Sequence, residues 1–253
     1  MRVTELQRRK NVRRAFLTAR WENLVILNYE VRPAALSPLV PAGTELDLWD
    51  GRALISVVGF LFRNTRVRGV SIPGHRHFEE VNLRFYVRRR MSSGPDRRAV
   101  VFIRELVPRF AIATVARLLY NEPYLSVPMR HRVSLLPDRG GDVEYVWRYA
   151  DVEHGVRATV EGPSQILKAG SEGEFITEHY WGYTRQRDGG TLEYEVEHPP
   201  WRIWTSPRVA FHGPAERLYG PVFGKVLAGP PRSAFVAEGS EVSVYAGRRL
   251  SLA

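Results

Sequence analysis

Glu80, Asn82, Arg84 and Tyr86 recur at every second position of the stretch FEEVNLRFYVRR, residues 78–89. Alternate residues of a strand share a face, and a rise of about 3.3 Å per residue puts such neighbours about 6.6 Å apart. An acid, an amide and a guanidinium at that spacing can meet one ligand of a few heavy atoms. The opposite parity, Val81, Leu83, Phe85 and Val87, is apolar throughout, as a strand with one oily face requires. A carboxyl buried without a cation keeps its proton to higher pH and suits a general acid; one paired with arginine stays ionised and structural. The competing reading is a salt-bridged sheet face in water. The next apolar run, AVVFIRELV (99–107), offers a partner strand across the turn at Met91–Asp96. Like charges directly opposite are unfavourable, so the charge pattern predicts Arg84 against Glu105, with Leu83 against Leu106 and Val87 against Phe102.

Two further stretches carry polar chemistry. EPYLSVPMRHRV (122–133) contains Tyr124, whose phenol can bond a carboxylate or carbonyl, and Arg130, which can hold an acid in a two-pronged contact. TEHYWGYT (177–184) contains His179, a possible acid–base group, and Tyr180. The same residues also suit packing or exposed surface. His75 and His77 share one strand parity but lack a third ligand in the sequence, so no metal site is assigned. No phosphate-binding glycine loop, serine-nucleophile elbow or dinucleotide fingerprint occurs, and no cofactor is predicted.

The composition is that of an ordinary globular protein: 253 residues, 44% hydrophobic, 25% charged and no cysteine. Disulfides, thiolate nucleophiles and Cys-bound metals are therefore excluded, and the expected compartment is the reducing cytoplasm. No apolar run approaches the roughly 20 residues that span a bilayer, so no membrane partner is expected. The N-terminus has no apolar h-region of a secretory signal. The net charge is +10, of which +6 falls in residues 1–20: seven basic side chains against Glu5. Lysines are only three, Lys10, Lys168 and Lys225. An arginine-rich arm fits nucleic acid, yet a coding bias toward arginine fits as well, and no zinc-finger, RNP or helix-turn-helix pattern accompanies it.

The elements that must position these residues follow from periodicity and punctuation. Helices are expected over 4–19 with Thr4 as N-cap, 33–41 opened by Pro33, 108–121, 171–178 and the start of 213–231. Strands are expected over 21–31, 79–89, 99–107, 124–136, 142–150, 153–161, 179–187, 201–212, 233–237 and 241–246. Asp50-Gly51 marks a hairpin within 44–62, Asp188-Gly189-Gly190 marks another within 185–198, and 63–77 reads as a loop. Many hairpins without βαβ alternation indicate an α+β, β-dominated fold, a curled antiparallel sheet or barrel-like core with a few short helices. No repeat or linker divides the chain, so 1–253 reads as a single domain with 1–20 as a basic helix or arm.

FEEVNLRFYV, VVFIREL, ARLLYNEPY, FITEHYWGYT and EHPPW, in that order, resemble the YqjF-like family, a domain of unknown function grouped with acetoacetate-decarboxylase-like proteins. The resemblance runs from about Trp21 to residue 212. Glu80, Asn82, Arg84, Tyr86 and Val87 fill the family's most specific motif, and Glu178-His179-Tyr180 stands where the family typically has Glu-Arg-Tyr. The resemblance implies a cone-like β-structure around a pocket for a small organic acid. In acetoacetate decarboxylase a lysine with a lowered ammonium pKa forms the imine. The matching position here is NEPYL, where Tyr124 and Leu125 replace the lysine pair.

The leading expectation is thus a pocket for a small organic acid or carbonyl compound, without a lysine imine. Its ligand-binding set is Glu80, Asn82, Arg84, Glu105, Tyr124, Arg130, His179 and Tyr180, with Glu80 and Tyr124 as the catalytic candidates. A reaction there would be that of a lyase or hydrolase. The alternatives are a non-catalytic ligand-binding or regulatory module, and a nucleic-acid-associated protein working through residues 1–20. Assembly as a homo-oligomer is compatible with all three.

Overall fold

The computed structural model describes residues 13–108, 121 and 123–251. The strands are β1 (Leu17–Val31), β2 (Glu45–Leu46), β3 (Ala53–Val67), β4 (Phe78–Arg89), β5 (Arg97–Val107), β6 (Tyr124–Ser126), β7 (Met129–Val133), β8 (Gly140–Tyr149), β9 (Val152–Glu161), β10 (Gln165–Ile166), β11 (Trp181–Arg185), β12 (Thr191–Glu197), β13 (Arg202–Thr205), β14 (Arg208–His212), β15 (Ser233–Val244) and β16 (Arg248–Arg249). The helices are α1 (Pro33–Leu36), α2 (Glu172–Thr177) and α3 (Glu216–Leu227).

The strands form a twelve-stranded and a four-stranded sheet. In the larger one, β15, β1, β3, β4, β5, β11 and β12 follow one another, and β12 pairs back onto β15 through Val196–Val244 and Glu197–Ser243. Seven strands therefore close into a barrel, which removes the free edges of an open sheet. The pairing is antiparallel except for β5 with β11 and β5 with β6, which run parallel. The architecture is the expected β-dominated, barrel-like one, with a mixed rather than wholly antiparallel sheet.

Both faces of the barrel wall are buried. The odd parity of β4 joins a core with Val25, Leu27, Val57, Tyr145, Trp147 and Val156, where the four-stranded sheet (β14-β9-β8-β7) and α3 pack from outside. Gly59 permits that contact: a Cβ there would lie 2.7 Å from the Tyr145 ring and 3.0 Å from Val156 Cγ1. The even parity, with Phe78 and Tyr86, turns inward among Ile26, Val58, Phe60, Phe62, Phe235 and the α2 residues Phe175 and Ile176.

Several boundaries differ from the sequence reading. Leu17–Ala19 belong to β1, hydrogen-bonded to β15, so the expected helix over 4–19 does not extend through them; its first part, residues 4–12, and the expected helix over 108–121, save for its end residues, lie outside the described residues. Asp50 and Gly51 do form a two-residue turn with positive φ, bridging Trp49 to Arg52. The flanking strands do not pair with each other, however, because β2 is claimed by β4. β3 continues through residues 63–67, expected as loop, since those residues pair with the start of β1. The stretch 201–212 divides at Ser206, which has φ +58°, into strands of different sheets. The two closing strands are one, β15, which bends at Gly239, where φ is +86° and a Cβ would strike the Trp21 carbonyl at 1.9 Å.

The β4–β5 register also differs. Asn82, not Arg84, faces Glu105; Val81 faces Leu106; Arg84 faces Phe102. A shift between Leu83 and Arg84 inserts one extra residue in β5. Glu105 and Phe102 are three apart and would point to opposite faces of a regular strand; the bulge brings both to the inner face. Charge complementarity did not set this register: burial of Leu106 and Val101 on the outer core did, and the carboxylate was left beside an amide.

Candidate functional site

The polar row lies inside the barrel wall, away from water. Glu80 is 3% exposed, Asn82 2%, Arg84 9% and Glu105 2%. Burial of this kind is costly unless each group is paired, so the partners carry the information. Asn82 Nδ2 donates to Glu80 Oε1 at 3.1 Å, and the Tyr124 hydroxyl donates to Glu80 Oε2 at 3.3 Å. Tyr124 reaches this point because β6 adds to β5 in parallel, with Tyr124 in register with Glu105. Glu80, Asn82 and Arg84 of β4, Glu105 of β5 and Tyr124 of β6 thus converge on adjacent strands.

Arg84 is the unusual member. Its Nη2 donates to the Ile176 carbonyl at the end of α2, at 3.2 Å, and its guanidinium lies 5.7 Å from the Tyr86 ring centroid. Among the described residues no carboxylate lies within ion-pair distance of it, and its Nε is buried without a partner. A buried guanidinium lacking an anion costs several kcal/mol. Asn82 Oδ1 and His179 Nδ1 are also buried without partners, as is Nε1 of Trp21, whose ring packs on Phe60 beside Glu80. Burial raises the Glu80 carboxyl from 4.5 to about 7, against the opposing pull of hydrogen bonds from Asn82 and Tyr124 and of the Arg84 charge. Near neutral pH this group both gives and takes a proton.

Tyr86 forms the far wall. Its hydroxyl donates to Ser56 Oγ at 2.5 Å, Ser56 donates to Asn28 Oδ1 at 2.6 Å, and Asn28 Nδ2 donates to Ser233 Oγ at 3.0 Å. This polar rung crosses β4, β3, β1 and β15 at one level. Behind Tyr86 stands His179, ring centroids 4.7 Å apart, followed by Arg98 Nη2 at 3.5 Å from His179 Nε2. Burial and the neighbouring Arg98 and Arg84 charges hold His179 well below the usual histidine range, so it is neutral at pH 7.

The remaining sequence candidates fall elsewhere. Arg130 is exposed on β7 of the four-stranded sheet and pairs with Glu153 at 2.9 Å. Tyr180 lines a pocket outside the barrel and donates to Glu178. His75 and His77 bond to backbone, at Pro73 O and Asn64 N. Asp47 and Arg98, joined at 2.7 Å next to His179, were not singled out in the sequence; Asp47 sits in the apolar run TELDLWD, and only the fold brings it to Arg98. Two pockets open beside the barrel. One of about 560 Å³ is bordered by Lys168, Glu172, Ile203 and Arg232. The other, of about 500 Å³, is bordered by Met91, Ser93, Arg97, Arg98, Glu178 and Tyr180. Neither is lined by Glu80 or Arg84.

Residues 18–240 match the DUF2071 family, described as an uncharacterized conserved protein (COG2071). The chain is 31% identical over 190 residues to the uncharacterized protein YqjF of Bacillus subtilis (strain 168), covering 72% of this chain and 73% of that one. Among solved structures it is similar to acetoacetate decarboxylase from Legionella pneumophila, with a TM-score of 0.65 at 12% identity over 94% of this chain and 88% of that one. It is also similar to the enduracididine biosynthesis enzyme MppR complexed with pyruvate, with a TM-score of 0.64 at 16% identity over 93% and 90%. An acetoacetate decarboxylase-like enzyme from Sphingomonas wittichii RW1 aligns at TM-score 0.59 and 14% identity over 93% and 92%. At these identities the structural likeness speaks to fold alone. The chain belongs to the DUF2071 family of uncharacterized conserved proteins and has an acetoacetate-decarboxylase-like fold.

Proposed function

We propose that the barrel interior binds a small organic acid, with its carboxylate on Arg84 and its neighbouring oxygen toward Glu80 and Tyr124. The observation that carries this is Arg84 itself: a buried guanidinium with a free Nε and no carboxylate partner among the described residues. A ligand carboxylate supplies the missing anion and replaces the lost hydration with charge-assisted hydrogen bonds. Glu80, protonated in part at neutral pH, then donates to a carbonyl or second carboxyl oxygen, and Asn82 holds it in place. MppR, similar in fold, is described in complex with pyruvate, which makes pyruvate a reasonable first probe.

The chemistry available is proton transfer without an imine. Tyr124 and Leu125 occupy β6 where the decarboxylase resemblance puts lysines, and neither forms a Schiff base. Lys168 and Lys225 are exposed, the former on the larger outer pocket and the latter on α3. The direct test is a thermal-shift panel of short mono- and keto-carboxylates, including pyruvate and acetoacetate, run beside the matching amides. Stabilisation by acids and not by amides is expected. Equal stabilisation by both, or by neither, removes the carboxylate assignment.

A further inference from the structure

The barrel site needs an entrance, and neither outer pocket touches Glu80 or Arg84. We infer that the pocket between Met91–Arg98 and Glu178–Trp181 is the mouth of the barrel, and that Arg98 is the arginine that receives an incoming carboxylate and passes it inward. The inference rests on the proposed acid-binding reading of Arg84 and adds to it a route and a second recognition residue.

Arg98 spans the two environments on the side of the barrel that holds His179 and Tyr86, whereas its neighbour on the same pocket, Arg97, turns to the buried Glu193. The Arg98 side chain is 33% exposed and borders the pocket, while its inner end meets buried groups. Nε donates to Asp47 Oδ2 at 2.7 Å, Nη2 donates to the Phe175 carbonyl at 3.2 Å, and the guanidinium lies 4.5 Å from the Phe175 ring centroid. The next group inward is His179, 3.5 Å away, then the Tyr86 ring, then Arg84. His179 is 7% exposed and places a polar ring between Arg98 and Tyr86. Asp47 shows that this guanidinium holds a carboxylate, and an arriving acid shares it with Asp47, which stays paired. The neutral state of His179 means that the path adds no third cation between Arg98 and Arg84.

The other pocket is a poorer entrance. Its inner wall is Ile203 and Phe235 of the apolar core, with Glu172 at its rim. Its polar link to the interior, Ser233–Asn28–Ser56–Tyr86, is made of strand residues already bonded to one another, with Asn28 and Ser56 fully buried.

The absence of cysteine makes a clean test. Ser93→Cys and Lys168→Cys each place a single thiol at one pocket, to be capped with a bulky maleimide. Pyruvate and acetoacetate are then titrated into capped and uncapped proteins, with Arg84→Met as the interior control. The expected result is binding to both uncapped proteins and to capped Lys168→Cys, with a loss of at least about tenfold in capped Ser93→Cys. Binding that survives the cap at Ser93 but is lost in Arg84→Met overturns the mouth while sparing the interior site, as does blockage by the cap at Lys168. No binding to the uncapped proteins overturns the acid-site reading and this route with it.

Discussion

Replacing Glu80 by glutamine tests the electrostatics of the barrel in isolation from any ligand. The carboxyl is 3% exposed, so solvent screens little of the effect. Burial, opposed by the bonds from Asn82 and Tyr124 and by Arg84, takes it from 4.5 to about 7. At about 1.4 kcal/mol for each tenfold change in proton affinity, that rise is worth about 3 kcal/mol. The unfolded chain releases this proton near pH 4.5 and the folded chain near pH 7. Between those values the folded state binds more protons than the unfolded one, so stability falls as pH rises. The penalty is absent below the unfolded value and complete above the folded one. The Glu80→Gln side chain keeps nearly the same shape and cannot titrate. Urea unfolding of both proteins from about pH 4 to about pH 8 should therefore show the variant gaining about 3 kcal/mol on the wild type across that range. Carboxyls held low, such as Glu45, Asp142 and Asp188, titrate alike in both proteins and cancel in the difference. A difference that stays flat with pH, or that shifts in favour of the wild type as pH rises, refutes the reasoning.

Three further outcomes are expected. Tyr124→Phe removes a hydrogen bond that favours the ionised carboxylate, so the midpoint of the Glu80 titration, read from the same pH series, moves above about 7; a downward move contradicts the assigned contact. Gly59→Ala forces a methyl onto the Tyr145 ring at 2.7 Å and should cost about 1–3 kcal/mol in denaturant unfolding by overpacking; no loss would mean that the four-stranded sheet does not press on the barrel there. Borohydride added with pyruvate or acetoacetate should leave the protein mass unchanged, and a stable adduct on any lysine would end the imine-free reading.

The row 80–86 was legible because strand periodicity is two and both parities were chemically pure. What alternation left open was which face met water; barrel closure buries both, and that depends on β12 returning to β15 across about fifty residues of chain. The same non-local term explains the register error. Local charge pairing favours Arg84 opposite Glu105, whereas in the structure Phe102 faces Arg84 and Asn82 faces Glu105. Arg130 illustrates the converse: its type suited acid binding, yet β7 joins the outer sheet and Glu153 already pairs it. Asp47 and Arg98 are invisible in one dimension, since nothing in TELDLWD or in DRRAVV distinguishes a buried ion pair from surface charge. The divided strand 201–212 turns on one residue, Ser206, in a left-handed conformation that serine seldom adopts and that its identity does not signal.

The central claim is that Arg84 receives a carboxylate. Titration calorimetry of the acid that gives the largest thermal shift, into wild type and a folded Arg84→Met variant near neutral pH, tests it most directly. Loss of a charge-assisted contact worth about 2–5 kcal/mol predicts that the variant binds about thirtyfold or more weakly. Binding to Arg84→Met within about twofold of wild type would contradict the account.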